Sequence, residues 1–154
     1  MTSPLMQQAS DGHHRSDHRD PLPRRLIWHD GAATSAAARQ AALAFLDEAR
    51  SAGLAPPTDY AAEKVQLVVS ELVTNARQHA PGPCGLHLEL ERSAACRLAR
   101  VTVWDTSPHP PAPQPPDPQR IGGQGLRIVQ AVSRRLTVDA HPAGKRVQAD
   151  IELA

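Results

Sequence analysis

Aromatic side chains are scarce in this sequence: one Phe, one Tyr and two Trp, 3% of the 154 residues. A core must therefore be built from Leu, Val, Ile and Ala, and the 40% hydrophobic fraction is enough for one such core. Cysteine is nearly absent as well. Cys84 and Cys96 stand apart without CxxC spacing, which argues against a disulfide scaffold and fits reduced cytosolic thiols. No apolar run is long enough to span a bilayer, and the N-terminus has no apolar stretch of the kind a secretory signal needs. Neither sign of charge dominates. The net charge is +1 and no Lys/Arg block occurs, so neither a nucleic-acid surface nor a membrane surface is indicated. These absences predict a single cytoplasmic domain with no direct nucleic-acid or membrane partner.

What is present divides the chain in two. Residues 1–23 are polar, carry His13, His14 and His18, and close on Asp20-Pro21-Leu22-Pro23. Too few large apolar side chains occur there to offset the entropy of ordering, so a disordered tail is expected. A metal site on the three histidines is the competing reading, but no Cys or second cluster completes a coordination shell. Residues 24–154 read as the domain. Arg24 to His29 is a short strand, and a helix runs from about Ser35 to Ala52 with Gly53 as its stop. A second helix starts near Thr58 as N-cap, with Val65, Val68, Val69, Leu72 and Ala76 as its apolar stripe. The period then changes to two over Leu86–Leu90 and again over Ala99–Val103, giving two strands with one buried face each. A proline-dense loop covers Thr106 to Arg120, and Gly122 to Arg135 reads as a third helix. Two last strands flank Pro142-Ala143-Gly144. One-sided strands and three helices predict a two-layer α/β sandwich with a mixed, mostly antiparallel sheet.

Chemistry can sit in three places. Glu71, Asn75 and His79 are four residues apart and share one ridge of the second helix, at the flank of its apolar stripe. An Asn oxygen suits a hard cation, and a nearby carboxylate suits a proton or a metal-bound water. A solvated helix edge explains the same spacing. Asp105 falls on the inward side of its strand, level with Val101 and Val103. A buried carboxylate needs a donor. A purine exocyclic amine, a backbone N–H and an Arg all qualify. Gly122-Gly123-Gln124-Gly125-Leu126 opens the third helix, where glycines allow close backbone approach and free N–H groups suit phosphate. A plain loop-to-helix junction is the alternative. The segment is not a Walker A loop, and it does not directly follow a strand as a dinucleotide fold requires.

Taken in order, the three segments resemble the N, G1 and G2 boxes of the GHKL (histidine kinase-like) ATPase superfamily. Glu71-Leu72-x-x-Asn75-Ala76-x-x-His79 is similar to the N box. Asp105 ends a Val-x-Val-Trp-Asp strand where the G1 aspartate is found, and Gly123-Gln124-Gly125-Leu126-x-Ile128-Val129 is similar to the G2 box. Gly144-Lys145-x-Val147 resembles the turn into the last strand. The small size and the lack of a phosphoacceptor helix pair bring the chain closest to stand-alone bacterial anti-sigma-factor serine kinases. The resemblance implies a Bergerat-type fold, with ATP and Mg²⁺ as ligands. Asn75 would hold the metal and Glu71 would act as general base. Asp105 would take the adenine amino group. Gly123, Gly125 and Leu126 would cradle phosphates through their backbone, and Arg120 would meet the γ-phosphate.

The resemblance also implies partners, namely a sigma factor and an antagonist protein that accepts phosphate on Ser or Thr. A homodimer is compatible with it, since such proteins often pair. One departure stands out. The G1 pattern Asp-x-Gly-x-Gly is here Asp105-Thr106-Ser107-Pro108-His109, followed by further prolines at 110, 111, 113, 115, 116 and 118. A stiff, extended lid is expected from that composition. It motivates a rival reading, a non-catalytic module that regulates a partner through its surface. A third reading, the catalytic half of a split histidine kinase, lacks an acceptor helix pair.

Overall fold

The computed structural model describes residues 23–29, 33–51, 58–79, 82–92, 97–107 and 125–153. Within them the elements run β1 (Arg24–Trp28), α1 (Ser35–Ser51), α2 (Asp59–His79), β2 (Cys84–Arg92), β3 (Arg97–Asp105), α3 (Gly125–Val132), β4 (Arg135–His141) and β5 (Gly144–Glu152). The strands form one sheet in the order β1-β2-β3-β5-β4. The expected α/β sandwich is what forms. All four pairings are antiparallel, so the parallel component that a mixed sheet allowed does not occur among the described residues.

Local chemistry accounts for the helix starts. Thr58 caps α2: its Oγ1 accepts a hydrogen bond from the Ala61 N–H at 3.0 Å. Thr34 caps α1 in the same way, with Oγ1 accepting from the Ala37 N–H at 3.1 Å. The α2 stripe of Val65, Val68, Val69, Leu72 and Ala76 is wholly buried. It packs with Phe45 of α1 and with the inward residues Leu86, Leu88, Val101, Val103, Val147, Ala149 and Ile151 of the three central strands. Phe45 is the one aromatic side chain that is fully buried, so the core is aliphatic, as the composition required.

The first strand ends at Trp28, one residue before the expected His29, and a larger difference lies at the end of the third helix. The third helix ends at Val132, and Arg135 opens β4 instead of closing α3. The helical ladder makes its last bond from Ser133 N–H to the Val129 carbonyl. The next amide, Arg134 N–H, donates to the Asp150 carbonyl at 2.8 Å, so the chain is already tied to the sheet. No Gly or Pro marks that exit in the sequence. Of the expected tail at 1–23 all but Pro23, the residue Ala52, the expected proline-dense loop from 108 onward and the expected first residues of the third helix at 122–124 lie outside the described residues.

Candidate functional site

The first group of site residues meets where α2 packs on α3. Glu71 and Asn75 are both half-buried on α2, one turn apart. Gly125 is the first residue of α3, and a Cβ built on it would run into Glu71 Oε2. Glycine at 125 therefore lets the Glu71 carboxylate lie against the start of α3. Free N–H groups at a helix start attract negative charge, and they are the same groups that would receive phosphate. Leu126 sits one residue further, with its side chain buried in the core, so its contribution to ligand contact is through the backbone. It also ties the start of α3 to the core. His79 closes α2. Arg120 and Gly123 lie outside the described residues.

The second group lies on the sheet. Asp105 ends β3 on the helix-facing side, and cross-strand register sets Cys84 of β2 on one side of it and Lys145 of β5 on the other. Asp105 Oδ1 accepts from the Ser107 N–H at 2.8 Å, a turn that folds the chain back as it leaves the strand. Asp105 Oδ2 pairs with Lys145 Nζ at 2.7 Å, and the two side chains are only 3% and 2% exposed. The donor that burial demanded is thus a backbone N–H together with a lysine. The sequence reading named the first and missed the second. A signal was available: Val147, Ala149 and Ile151 face inward, and the same period of two carries Lys145 inward as well.

Two further contacts fix this end of the sheet. Gly144 has φ +150° and a Cβ there would collide with the Asp105 carbonyl oxygen, so the β4–β5 hairpin closes directly against the backbone of Asp105. The Cys84 thiol is pushed above its ordinary value, first by burial and then by the charge of Asp105. Together, Cys84, Asp105 and Lys145 form one buried polar row beside an otherwise aliphatic core. Among the described residues no group of three His, Cys, Asp or Glu side chains gathers to hold a metal. A cation bound by Asn75 would need its remaining ligands from phosphate and water, which suits Mg²⁺.

A histidine kinase-like ATPase domain model matches residues 31–151, nearly the whole domain. The chain belongs to the histidine kinase-like ATPase family. Every site residue named from the sequence falls inside the matched region. Domains of this family bind ATP, usually with Mg²⁺. No curated protein matches the chain. Among solved structures it is similar to the blue-light activated histidine kinase of Erythrobacter litoralis EL346, at 27% identity and TM-score 0.42, over 61% of this chain and 31% of that one. A structure of the histidine kinase domain from the same protein is 32% identical with TM-score 0.42, over 60% of this chain and 45% of that one. The aligned region thus spans less than half of either structure. No helix among the described residues is long and apolar enough to cross a membrane.

Proposed function

We propose that the protein is an anti-sigma-factor serine/threonine kinase, which transfers the γ-phosphoryl group of ATP to a hydroxyl on an antagonist protein. The observation that carries this reading is the seat of Glu71. Its carboxylate lies against the start of α3, one helical turn from Asn75. That places a proton acceptor beside the backbone N–H groups suited to phosphate. Glu71 accepts the proton of the attacking hydroxyl as the new O–P bond forms, and the bond to the leaving ADP oxygen breaks. Asn75 would hold Mg²⁺, which supplies charge neutralisation on the phosphates when bound. Asp105 accepts from the adenine amino group. Positioning and electrostatics provide most of the rate.

The test is single-turnover transfer from labelled ATP to candidate antagonists, with nucleotide affinity measured alongside. Glu71→Ala should lose about 10²–10⁴-fold in rate and keep most of its affinity, because a base acts in the transition state. Asn75→Ala should lose both. Equal transfer by wild type and Glu71→Ala would remove Glu71 from the role of base. Acid-labile phosphohistidine on a partner would move the protein to the split histidine-kinase reading.

A second reading, the non-catalytic module, is favoured by a specific observation: the base-reading carboxylate is already paired with Lys145. Combined with the altered G1 segment, this supports a site with a weakened hold on the base, in a protein that regulates a partner through its surface. A wild-type protein that transfers no phosphate, yet retains a partner only in the presence of Mg-ATP, would establish that reading.

A further inference from the structure

Both side-chain oxygens of Asp105 are engaged within the protein. Oδ1 accepts from the Ser107 N–H at 2.8 Å, and Oδ2 meets Lys145 Nζ at 2.7 Å. The two side chains of the ion pair are 3% and 2% exposed, so a base finds no open edge of Asp105 while the pair is made. The Ser107 bond belongs to the turn that ends β3, so the backbone fixes it. Lys145 is the partner that can leave, because its ammonium rides on a flexible four-carbon stem. Its backbone cannot retreat with it. The register sets residue 145 directly opposite residue 105, and the neighbouring Gly144 lies so close that a Cβ there would collide with the Asp105 carbonyl oxygen. Release is therefore a side-chain rotation. It exchanges an ammonium for a neutral amino group, and the ammonium is the stronger partner of a buried carboxylate.

We propose that Lys145 is a built-in competitor of the base: its ammonium holds the place of the adenine amino group, and ATP is bound only when that side chain swings off Asp105. The inference rests on the reading that this site takes an adenine nucleotide through Asp105. Apparent affinity is the intrinsic affinity multiplied by the fraction of molecules in the open state. A site open in about one molecule in ten to one in a hundred binds about ten- to a hundredfold more weakly than a permanently open one. Lys145 thus sets the ATP concentration at which the protein responds. The alternative role is a permanent counter-ion that stays on Asp105 whether or not nucleotide is bound. The two roles differ in sign. Removing a cation near the site of a polyanion ordinarily weakens binding, whereas removing a competitor tightens it.

Calorimetric titration of the full chain with ATP and Mg²⁺ reads that sign. Lys145→Met keeps an apolar stem and removes the ammonium, and it should bind ATP at least about tenfold more tightly than wild type. Lys145→Gln keeps an uncharged N–H donor beside the buried carboxylate, and it should tighten binding in the same direction. Arg146→Met removes an equal charge from the next residue, which is exposed and on the opposite face of β5, and should bind no more tightly than wild type. A second measurement needs no variant. Lys64 and Lys145 are the two lysines of the sequence. Acetic anhydride labelling, mapped by mass spectrometry, should find Lys145 protected in the free wild type. Saturating Mg-ATP should raise its labelling severalfold and leave Lys64 unchanged, the reverse of the protection that a ligand gives a lysine it covers. ATP binding by both Lys145 variants that is equal to wild type or weaker overturns the proposal. So does labelling of Lys145 that ATP leaves unchanged or lowers, even if the variants fail to fold. In either case ATP binding by wild type leaves the nucleotide reading standing. If wild type and variants all fail to bind ATP, the nucleotide reading itself fails and takes this proposal with it.

Discussion

Two buried aspartates are each paired with a basic residue across the same two strands. Asp105 of β3 is partnered by Lys145 of β5, and Asp150 of β5 is partnered by Arg100 of β3. Arg100 and Asp105 are separated by an odd number of positions along β3, so the two pairs point to opposite faces of the sheet. Asp105–Lys145 faces the helices, and Asp150–Arg100 lies on the other side. The arginine closes its partner completely: Nε donates to Oδ1 at 2.9 Å and Nη2 to Oδ2 at 3.2 Å. A third nitrogen reaches Glu91. The hydrogen bond to Asp150 holds the guanidinium above its ordinary value, against an opposing effect of burial. The lysine makes a single-point contact and leaves bonding capacity on both partners. One pair is a clasp between two strands. The other is a single-point contact between two almost fully buried side chains at the end of β3.

Removing the carboxylates should break this comparison most strongly. Asp105→Ala strands a lysine that is 2% exposed, and loss of one partner of a buried pair costs about 3–5 kcal/mol. Asp150→Ala leaves Arg100 with Glu91 still at hand and with a side chain that is 22% exposed, so a smaller loss of about 1–3 kcal/mol is expected. Urea unfolding at neutral pH measures both. Nucleotide binding gives the sharper contrast, since Asp150→Ala should bind as wild type does and Asp105→Ala should not. Equal losses of stability together with equal nucleotide affinities would show that the two pairs are alike.

Gly144→Ala tests the inner pair without touching either charge. The new Cβ would meet the Asp105 carbonyl oxygen, and φ +150° is a region that side chains other than glycine rarely adopt. Strain of this kind costs about 1–3 kcal/mol. The hairpin must then shift away from Asp105, which should lengthen the Asp105–Lys145 contact and leave the Arg100–Asp150 clasp intact. A melting temperature equal to wild type would show that the hairpin yields freely at this point.

The inner and outer faces of these strands were legible in the sequence, because a period of two is a local property. Val101, Val103 and Asp105 alternate visibly, and the Glu71–Asn75 ridge follows from helical spacing alone. The start of α2 was readable for the same reason, since Thr58 caps it three residues before the amide it holds. Partnership was not legible. Asp105 and Lys145 are brought together by the β3–β5 register, which depends on a sheet order that jumps from the third strand to the fifth. The contact of Glu71 with Gly125 likewise depends on how α2 and α3 pack, and no spacing rule encodes it. The end of α3 was missed because its stop is tertiary: Arg134 N–H is captured by Asp150 of a different strand.

The smallest expected effect asks whether the lysine cancels the charge of Asp105. Cys84 is the cross-strand neighbour of Asp105 on the side away from Lys145, and it is buried. Burial raises the thiol from 9.0, and the Asp105 charge raises it further. The protonated thiol is thus favoured in the folded state more than in the unfolded chain. Its contribution to stability is fully present below the unfolded value of 9.0 and is lost as pH rises through the higher folded value. Because the thiolate is the reactive form, alkylation of Cys84 at about pH 8 should run at least tenfold slower than that of a free cysteine. Iodoacetamide labelling in a Cys96→Ser background reads this rate directly. Asp105→Asn removes the charge while keeping the shape, so it should speed labelling several-fold. Asp150→Asn, on the opposite face, should leave the rate unchanged. Each variant's rate is compared below its own unfolding transition, so that labelling through the unfolded state does not mimic the effect. If Asp105→Asn and Asp150→Asn both match wild type, Lys145 neutralises Asp105 fully. The inner pair would then be as saturated electrically as the outer one.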